Sequence, residues 1–321
     1  MSPDTNSTIS RIAAIEKHRV ALLSVIAAIV LTGSKAIVGW WTNSLGILSE
    51  AAHSGLDLVA TIVTLFAVRY SDRPADEDHL YGHGKMENLS AMFQVLLLLV
   101  TCVWIIYEGV KRLFVKHAEV DASIWAFGVV LASIAIDYSR SRALSRAARK
   151  YSSQALEADA LHFSTDIWSS CVVLLGLIGV RLTAVFPAHE AWLAKADAAA
   201  ALGVAVIVIA VSIRLGRRTL HGLLDTAPAG LTRKIKQAAE SLPGVTDCHN
   251  IRVRVAGPQV FVDVHILADG EQSLADAHAL TEQIEQAIRS VAPGADVTVH
   301  PEPQPADKPP EPRRELKGWV D

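Results

Sequence analysis

The sequence has little of what would place it among disulfide-stapled, thiolate-metal or nucleic-acid-binding proteins. Its 321 residues hold three cysteines, Cys102, Cys171 and Cys248. They are far apart and none sits in a CxxC, so no disulfide framework and no cysteine zinc knuckle can be read from them. Basic residues are not in excess: 30 Lys and Arg face 33 Asp and Glu, for a formal net charge of −3. That removes the electrostatic basis for holding nucleic acid. No HExxH occurs, which argues against a helical zinc hydrolase. The apolar run after Arg19 is too long for a signal peptide and lacks a small-residue cleavage pattern, so it reads as a first membrane span. What the chain does have is apolar length. It is 51% hydrophobic with only 20% charged residues, and its mean hydropathy is +0.30. These values point to a membrane protein with lipids as its surroundings.

The hydrophobic pattern predicts six spans, at 20–41, 45–69, 89–112, 121–139, 155–184 and 198–215. Trp40, Trp41 and Trp192 fall near predicted ends, as interfacial aromatics should. Lys35, a little over one turn before Trp40, is expected to snorkel to the interface. Asp137 is expected to pair locally with Arg140 or to sit at the interface. Orientation follows from Lys and Arg in the short links. Arg140, Arg142, Arg146, Arg149 and Lys150 follow span four, Arg69, Arg73 and Lys85 follow span two, and Arg214, Arg217 and Arg218 follow span six. With alternating spans these share one face, which the positive-inside bias makes cytoplasmic, together with both termini. Lys111, Arg112 and Lys116 oppose this and are outnumbered.

The expected organisation is an N-terminal cytoplasmic segment over 1–19, a transmembrane domain over 20–215, a soluble domain over 216–302 and a Pro-rich flexible tail over 303–321. In the soluble part, 232–242 has helical spacing. Residues 248–255 and 259–267 alternate as strands around a Gly-Pro turn, 273–291 reads as an amphipathic helix, and 296–300 as a last strand. This α-β-β-α-β order predicts a small α+β sandwich.

The most informative feature is a motif that occurs twice at membrane depth. Glu50-x-x-His53-x-x-x-Asp57 recurs as Asp159-x-x-His162-x-x-x-Asp166. On a helix, His and Asp four apart share one face. Ionisable groups within a membrane are costly and mark function by default. Two imidazoles and two carboxylates, His53, Asp57, His162 and Asp166, make a closed four-ligand set for a borderline divalent ion such as zinc. Glu50 and Asp159 read as supporting or pathway groups, and a helix-end charge is an equally good reading of Asp159. Two carboxylates neutralise one divalent ion. Without it they tend to take up protons in a low-dielectric setting. Such a site holds either metal or protons, which is the physical basis of antiport.

Two further clusters have ligand-like composition. In the loop after span two, Asp76, His79 and His83 lie among Gly82 and Gly84, which let the backbone turn tightly. In the soluble domain His249, His265, His278, His300 and Glu302 stand at strand ends and on a helix, and Cys248 beside His249 leaves a thiol ligand open. A solvated polar loop and scattered surface histidines are the alternative readings.

The chain resembles the cation diffusion facilitators, most closely their bacterial zinc and iron efflux branch. The resemblance rests on HSGLD (53–57), HFSTD (162–166), PADEDHLYGHGKMEN (74–88) and the ending DVTVHPEP, and it covers about 11–302. It implies a six-helix transmembrane bundle plus a C-terminal ferredoxin-like cytoplasmic domain, in a homodimer of the bacterial inner membrane. It implies zinc export against proton entry, with the quartet as transport site. Asp76, His79 and His83 are implied to form a cytoplasmic metal site, and the soluble-domain residues to make metal-dependent dimer contacts. Many members have Asp where His53 stands, and the extra imidazole suits zinc better than manganese. Cd2+, Fe2+ or other divalent metals remain open as cargo. The alternative function is a membrane metal sensor or assembly protein that binds without transporting.

Overall fold

The computed structural model describes residues 3–42, 45–114, 124–183, 190–257 and 259–304. The side chain of Trp192, Lys116 and the tail from 305 lie outside the described residues. Elements follow in the order α1 (Pro3–Thr42), α2 (Leu45–Ser71), α3 (Lys85–Phe114), α4 (Ile124–Tyr151), α5 (Gln154–Thr183), α6 (Glu190–Leu223), α7 (Leu231–Glu240), β1 (Asp247–Ala256), β2 (Gln259–Ala268), α8 (Leu274–Val291) and β3 (Asp296–Pro303). They form two compact units, one holding α1–α6 and the other α7–β3.

Each of α1–α6 has at least 27 residues. At ~1.5 Å rise per residue that exceeds the roughly 30 Å of a bilayer core. Among the described residues, Arg11–Trp41, Glu50–Ser71 and Lys85–Tyr107 are both long and apolar enough to cross. Their large apolar side chains are widely exposed, among them Leu56, Phe66, Leu96 and Trp104. That suits a surface facing lipid rather than water. Trp40 and Trp41 are exposed at the end of α1.

Two expectations about the bundle are corrected. The segment before residue 20 is not separate from the bundle, because α1 is continuous from Pro3. Lys17 is buried and donates to Asp72 at 2.6 Å and to Glu87 at 3.0 Å, fixing the first half of α1 to the end of α2 and the start of α3. The stretch after 139 is likewise no loop. Its Arg, Ala, Leu and Lys are strong helix formers without Gly or Pro, and α4 continues through it to Tyr151. Ser152 then takes a left-handed φ of 52°. Ser153 Oγ accepts from the Leu156 N–H at 3.4 Å, opening α5. A polar side-chain oxygen satisfying a free N–H of the first turn is the usual device for starting a helix.

In the second unit the sheet order is β1-β2-β3. β2 and β3 are parallel, with His265 opposite His300 and Leu267 opposite Glu302. Parallel neighbours need a crossover, and α8 supplies it. Ser273 caps α8, accepting from the Asp276 N–H at 3.1 Å. Inward residues of the strands, including Val262, Val264, Ile266 and Val297, pack against Ile284 and Ile288 of α8 and Ile235 of α7. The period-2 alternation sends Cys248 into this core and His249 out of it. Burial pushes the Cys248 thiol up to about 11, and its place in the core sets it on the opposite face from His249. The domain is therefore α+β with three described strands.

Candidate metal centres

The two copies of the motif meet where α2 and α5 pack. His162 Nε2 lies 2.9 Å from Asp57 Oδ1 and 3.6 Å from Asp166 Oδ2. One ligand atom from each of the three falls within 4.8 Å of the others. The His162 side chain is 4% exposed, and those of Asp57 and Asp166 are 14% and 17% exposed. His53 stands at the rim. Its Nε2 is 3.9 Å from Asp57 Oδ2 and its side chain is 42% exposed. Three of the four expected ligands thus converge, and one helical turn of the same face holds the fourth in reserve.

A cavity opens onto this cluster, lined by α1, α2, α4 and α5. His53, Asp57 and Asp166 border it together with Lys35, Glu50, Asp137 and Arg140. Lys35 does not snorkel. It is 5% exposed and donates to Ser54 Oγ at 2.8 Å and to Glu50 Oε2 at 3.3 Å. Asp137 and Arg140 pair locally as expected, at 3.2 Å, but inside the bundle. Arg140 also reaches Ser24 and Thr61, and its guanidinium stacks 3.5 Å from the Phe163 ring centre. That cation–π contact braces the residue next to His162.

Asp159, in the second turn of α5, is fully buried and accepts from Gln94 Nε2 at 2.9 Å. Gln94 in turn donates to Thr64 at 2.6 Å. Gln94, Lys35 and Arg140 are the neighbours of the site that the motif alone did not reveal. Their signal was polarity at membrane depth on helices without the repeat.

The loop cluster is built by its turn. Asp76 Oδ1 accepts from the Asp78 and His79 N–H groups at 3.2 and 2.7 Å. Gly82 takes a left-handed φ of 72°, a conformation that suits a residue without Cβ. His79 Nδ1 and His83 Nε2 each come to 3.2 Å from an Asp76 oxygen. His83 Nδ1 lies 3.2 Å from the Pro74 carbonyl. A ring N–H donated there leaves the Nε2 lone pair facing the cluster. Hydrogen bonds, first from the His79 backbone, hold the Asp76 carboxyl below its ordinary value despite opposing desolvation. It is therefore ionised at neutral pH.

The third cluster follows from sheet register. Glu302 Oε1 lies 2.7 Å from His265 Nδ1 and its Oε2 lies 3.3 Å from His249 Nε2. The His265 hydrogen bond, ahead of the nearby imidazole charges, holds the Glu302 carboxyl below its ordinary value. His300 flanks the group, with its ring centre 4.8 Å from that of His265 and its Nε2 3.8 Å from Glu302. Among the described residues the tight set is His249, His265 and Glu302. His278 is outside it, on α8, exposed and 3.7 Å from Glu282. Asp247, 3.2 Å from His249 Nδ1, and Asn250, 3.2 Å from His265 Nε2, are neighbours that sequence reasoning missed.

All three sets combine imidazole nitrogen with carboxylate oxygen, the donors that a borderline divalent ion takes. Three buried nitrogens of these sets, His162 Nδ1, His83 Nε2 and His249 Nδ1, make no well-aligned hydrogen bond among the described residues. The His83 atom faces the other two members of its set, as a ligand atom would.

Comparison with known proteins identifies the class. Residues 21–224 match the cation efflux transmembrane domain and residues 228–304 match the cation efflux protein cytoplasmic domain. The cation-efflux pump FieF of Cronobacter sakazakii is 32% identical over 288 residues, covering 89% of this chain and 92% of that protein. FieF of Yersinia enterocolitica is 32% identical over 286 residues, covering 88% and 91%. Of solved structures, CzrB aligns at 26% identity with a TM-score of 0.24, over 25% of this chain and 99% of that one. The chain belongs to the cation diffusion facilitator family. It is an integral membrane protein of a transporter family rather than of an enzyme class.

Proposed function

We propose that this protein exports a divalent metal ion, zinc foremost, from the cytoplasm in exchange for protons. The observation that carries the reading is the buried cluster of Asp57, His162 and Asp166, whose two carboxylates line a cavity in a helical transmembrane domain. His53 closes the set to four ligands when the ion is bound. Zinc is preferred because two imidazoles join the carboxylates, and Cd2+ or Fe2+ are the next cargoes to test. Metal and protons compete for the same oxygens and nitrogens, so binding one expels the other. Alternating access then needs two states of the bundle, each favoured by one of the two occupants. The close similarity to cation-efflux pumps supports the export direction.

In this reading α1–α6 all cross a bacterial inner membrane, with both termini and the C-terminal domain cytoplasmic. Asp76, His79 and His83 receive metal on the cytoplasmic side. The C-terminal domain, of ferredoxin-like kind, holds zinc at His249, His265, His300 and Glu302. His278, exposed on α8, is the ligand left for a second copy, so metal strengthens a homodimer and raises transport at high load. His265→Ala and His278→Ala that leave the metal dependence of dimerisation unchanged would sink the regulatory role.

The deciding experiment uses proteoliposomes with a zinc-sensitive dye inside, carrying wild type or Asp166→Ala. Zinc entry is followed with and without an opposing proton gradient. Gradient-driven uptake by wild type alone is expected. Zinc binding without uptake in both proteins would refute transport and favour a membrane sensor.

A further inference from the structure

The charge of the cavity can be counted residue by residue. Its lining holds the carboxylates Glu50, Asp57, Asp137 and Asp166 and the cations Lys35 and Arg140. With imidazole neutral, four negative and two positive groups leave −2, the charge that one divalent ion cancels. Asp137 is already answered by Arg140 at 3.2 Å and Glu50 by Lys35 at 3.3 Å. Lys35 also acts electrostatically on Asp57 and Asp137. Burying an ammonium loses hydration that a single ion pair scarcely offsets, so such a pair is weak evidence of a stabilising role.

Position gives the pair a different role. Glu50 precedes His53 by three residues on α2, so the two share a helix face. Both are open, at 46% and 42% side-chain exposure, whereas Asp57, His162 and Asp166 lie deeper. An unpaired Glu50 beside His53 would offer a carboxylate and an imidazole at the mouth. A metal ion leaving the inner cluster would be caught there. We propose that Lys35 is a release residue. Its ammonium occupies Glu50, holds the cavity at the charge of one divalent ion and keeps the mouth from becoming a second metal trap. The release role rests on the transport reading above, whereas the charge role does not.

The test uses the full-length protein with Zn2+ alone as the probe. It compares wild type, Lys35→Met, Glu50→Gln and the double variant, with His83→Ala and His265→Ala in all four to silence the other centres. Binding is measured in lipid nanodiscs and uptake in proteoliposomes. Lys35→Met takes the cavity to −3 and should bind zinc on the order of tenfold tighter while its maximal uptake rate falls. Glu50→Gln leaves Lys35 unanswered and should bind about tenfold weaker. The double variant should return to within about threefold of wild type in both measurements. Single variants shifting in the same direction, or a double variant no nearer wild type than either single, would overturn the proposal. If Lys35→Met fails to fold, Glu50→Gln still decides the charge role, because a merely structural contact predicts unchanged affinity. Protein with all three centres intact that binds zinc but moves none refutes transport, and the signs of the binding shifts in the silenced background then test the charge role alone.

Discussion

Asp57→Asn isolates the contribution of one charge to the intramembrane cluster. Asp57 is the residue the two imidazoles share, with one oxygen 2.9 Å from His162 and the other 3.9 Å from His53. Asparagine keeps the shape and one acceptor but removes the negative charge. The cavity charge then falls from −2 to −1, and a bound divalent ion is left with an unbalanced positive charge among buried groups. Removing one partner of a buried charged pair costs about 3–5 kcal/mol. At about 1.4 kcal/mol per factor of ten, that is a loss of zinc affinity of roughly two to three and a half orders of magnitude. The lower end applies here because Asp57 is 14% exposed and water moderates the field. The assay is competition with a chelator of known affinity, using protein in nanodiscs with His83→Ala and His265→Ala. Affinity within threefold of the same background carrying Asp57 would refute the placement of zinc between α2 and α5.

Gly82→Ala should cost about 1–2 kcal/mol at its left-handed φ of 72°. Misplacing His83 should weaken loop zinc binding about tenfold. Equal titrations of wild type and variant, each referred to Asp76→Ala, would refute the geometric role of this glycine. Glu302 has a lowered carboxyl pKa in the fold, so its contribution to stability is complete above the ordinary value of 4.5 and is lost as pH falls through the lowered one. In a metal-free fragment from Asp225, Glu302→Gln should therefore be less stable than wild type near pH 7, and urea midpoints should converge as pH falls from the ordinary 4.5 through the lowered value. Ile284 is fully buried between α8 and the sheet, and Ile284→Ala should destabilise that fragment by about 2–5 kcal/mol in urea unfolding. A loss under 1 kcal/mol would place the core elsewhere.

The repeated His and Asp spacing could be read because a helix puts residues four apart on one face whatever surrounds it. The strands of the C-terminal domain were legible for the same reason, with period two in place of 3.6. Lys35 was misread because hydropathy reports depth along a helix and not azimuth around it. A lysine near a span end snorkels if it faces lipid, but Lys35 faces Ser54 and Glu50 of α2. Arg140 was misread because charge ends an apolar run without ending a helix. Its buried face, against Ser24 and Phe163, depends on α1 and α5. His265 and Glu302 are far apart in the chain, and their meeting depends on the parallel register that α8 imposes. No local pattern fixes that register. Cys248 beside His249 shows the converse, since adjacency along a strand separates two side chains to opposite faces.

That register carries a consequence for biosynthesis. His249 and His265 are made early in the domain, but the carboxylate that bridges them arrives only with β3. A chain interrupted between His265 and Glu302 carries both imidazoles and lacks their shared anion. Until β3 docks beside β2, this centre has no closed ligand set, however well the rest of the protein is inserted. Metal bound there would thus report that synthesis and folding have run to the end of the domain.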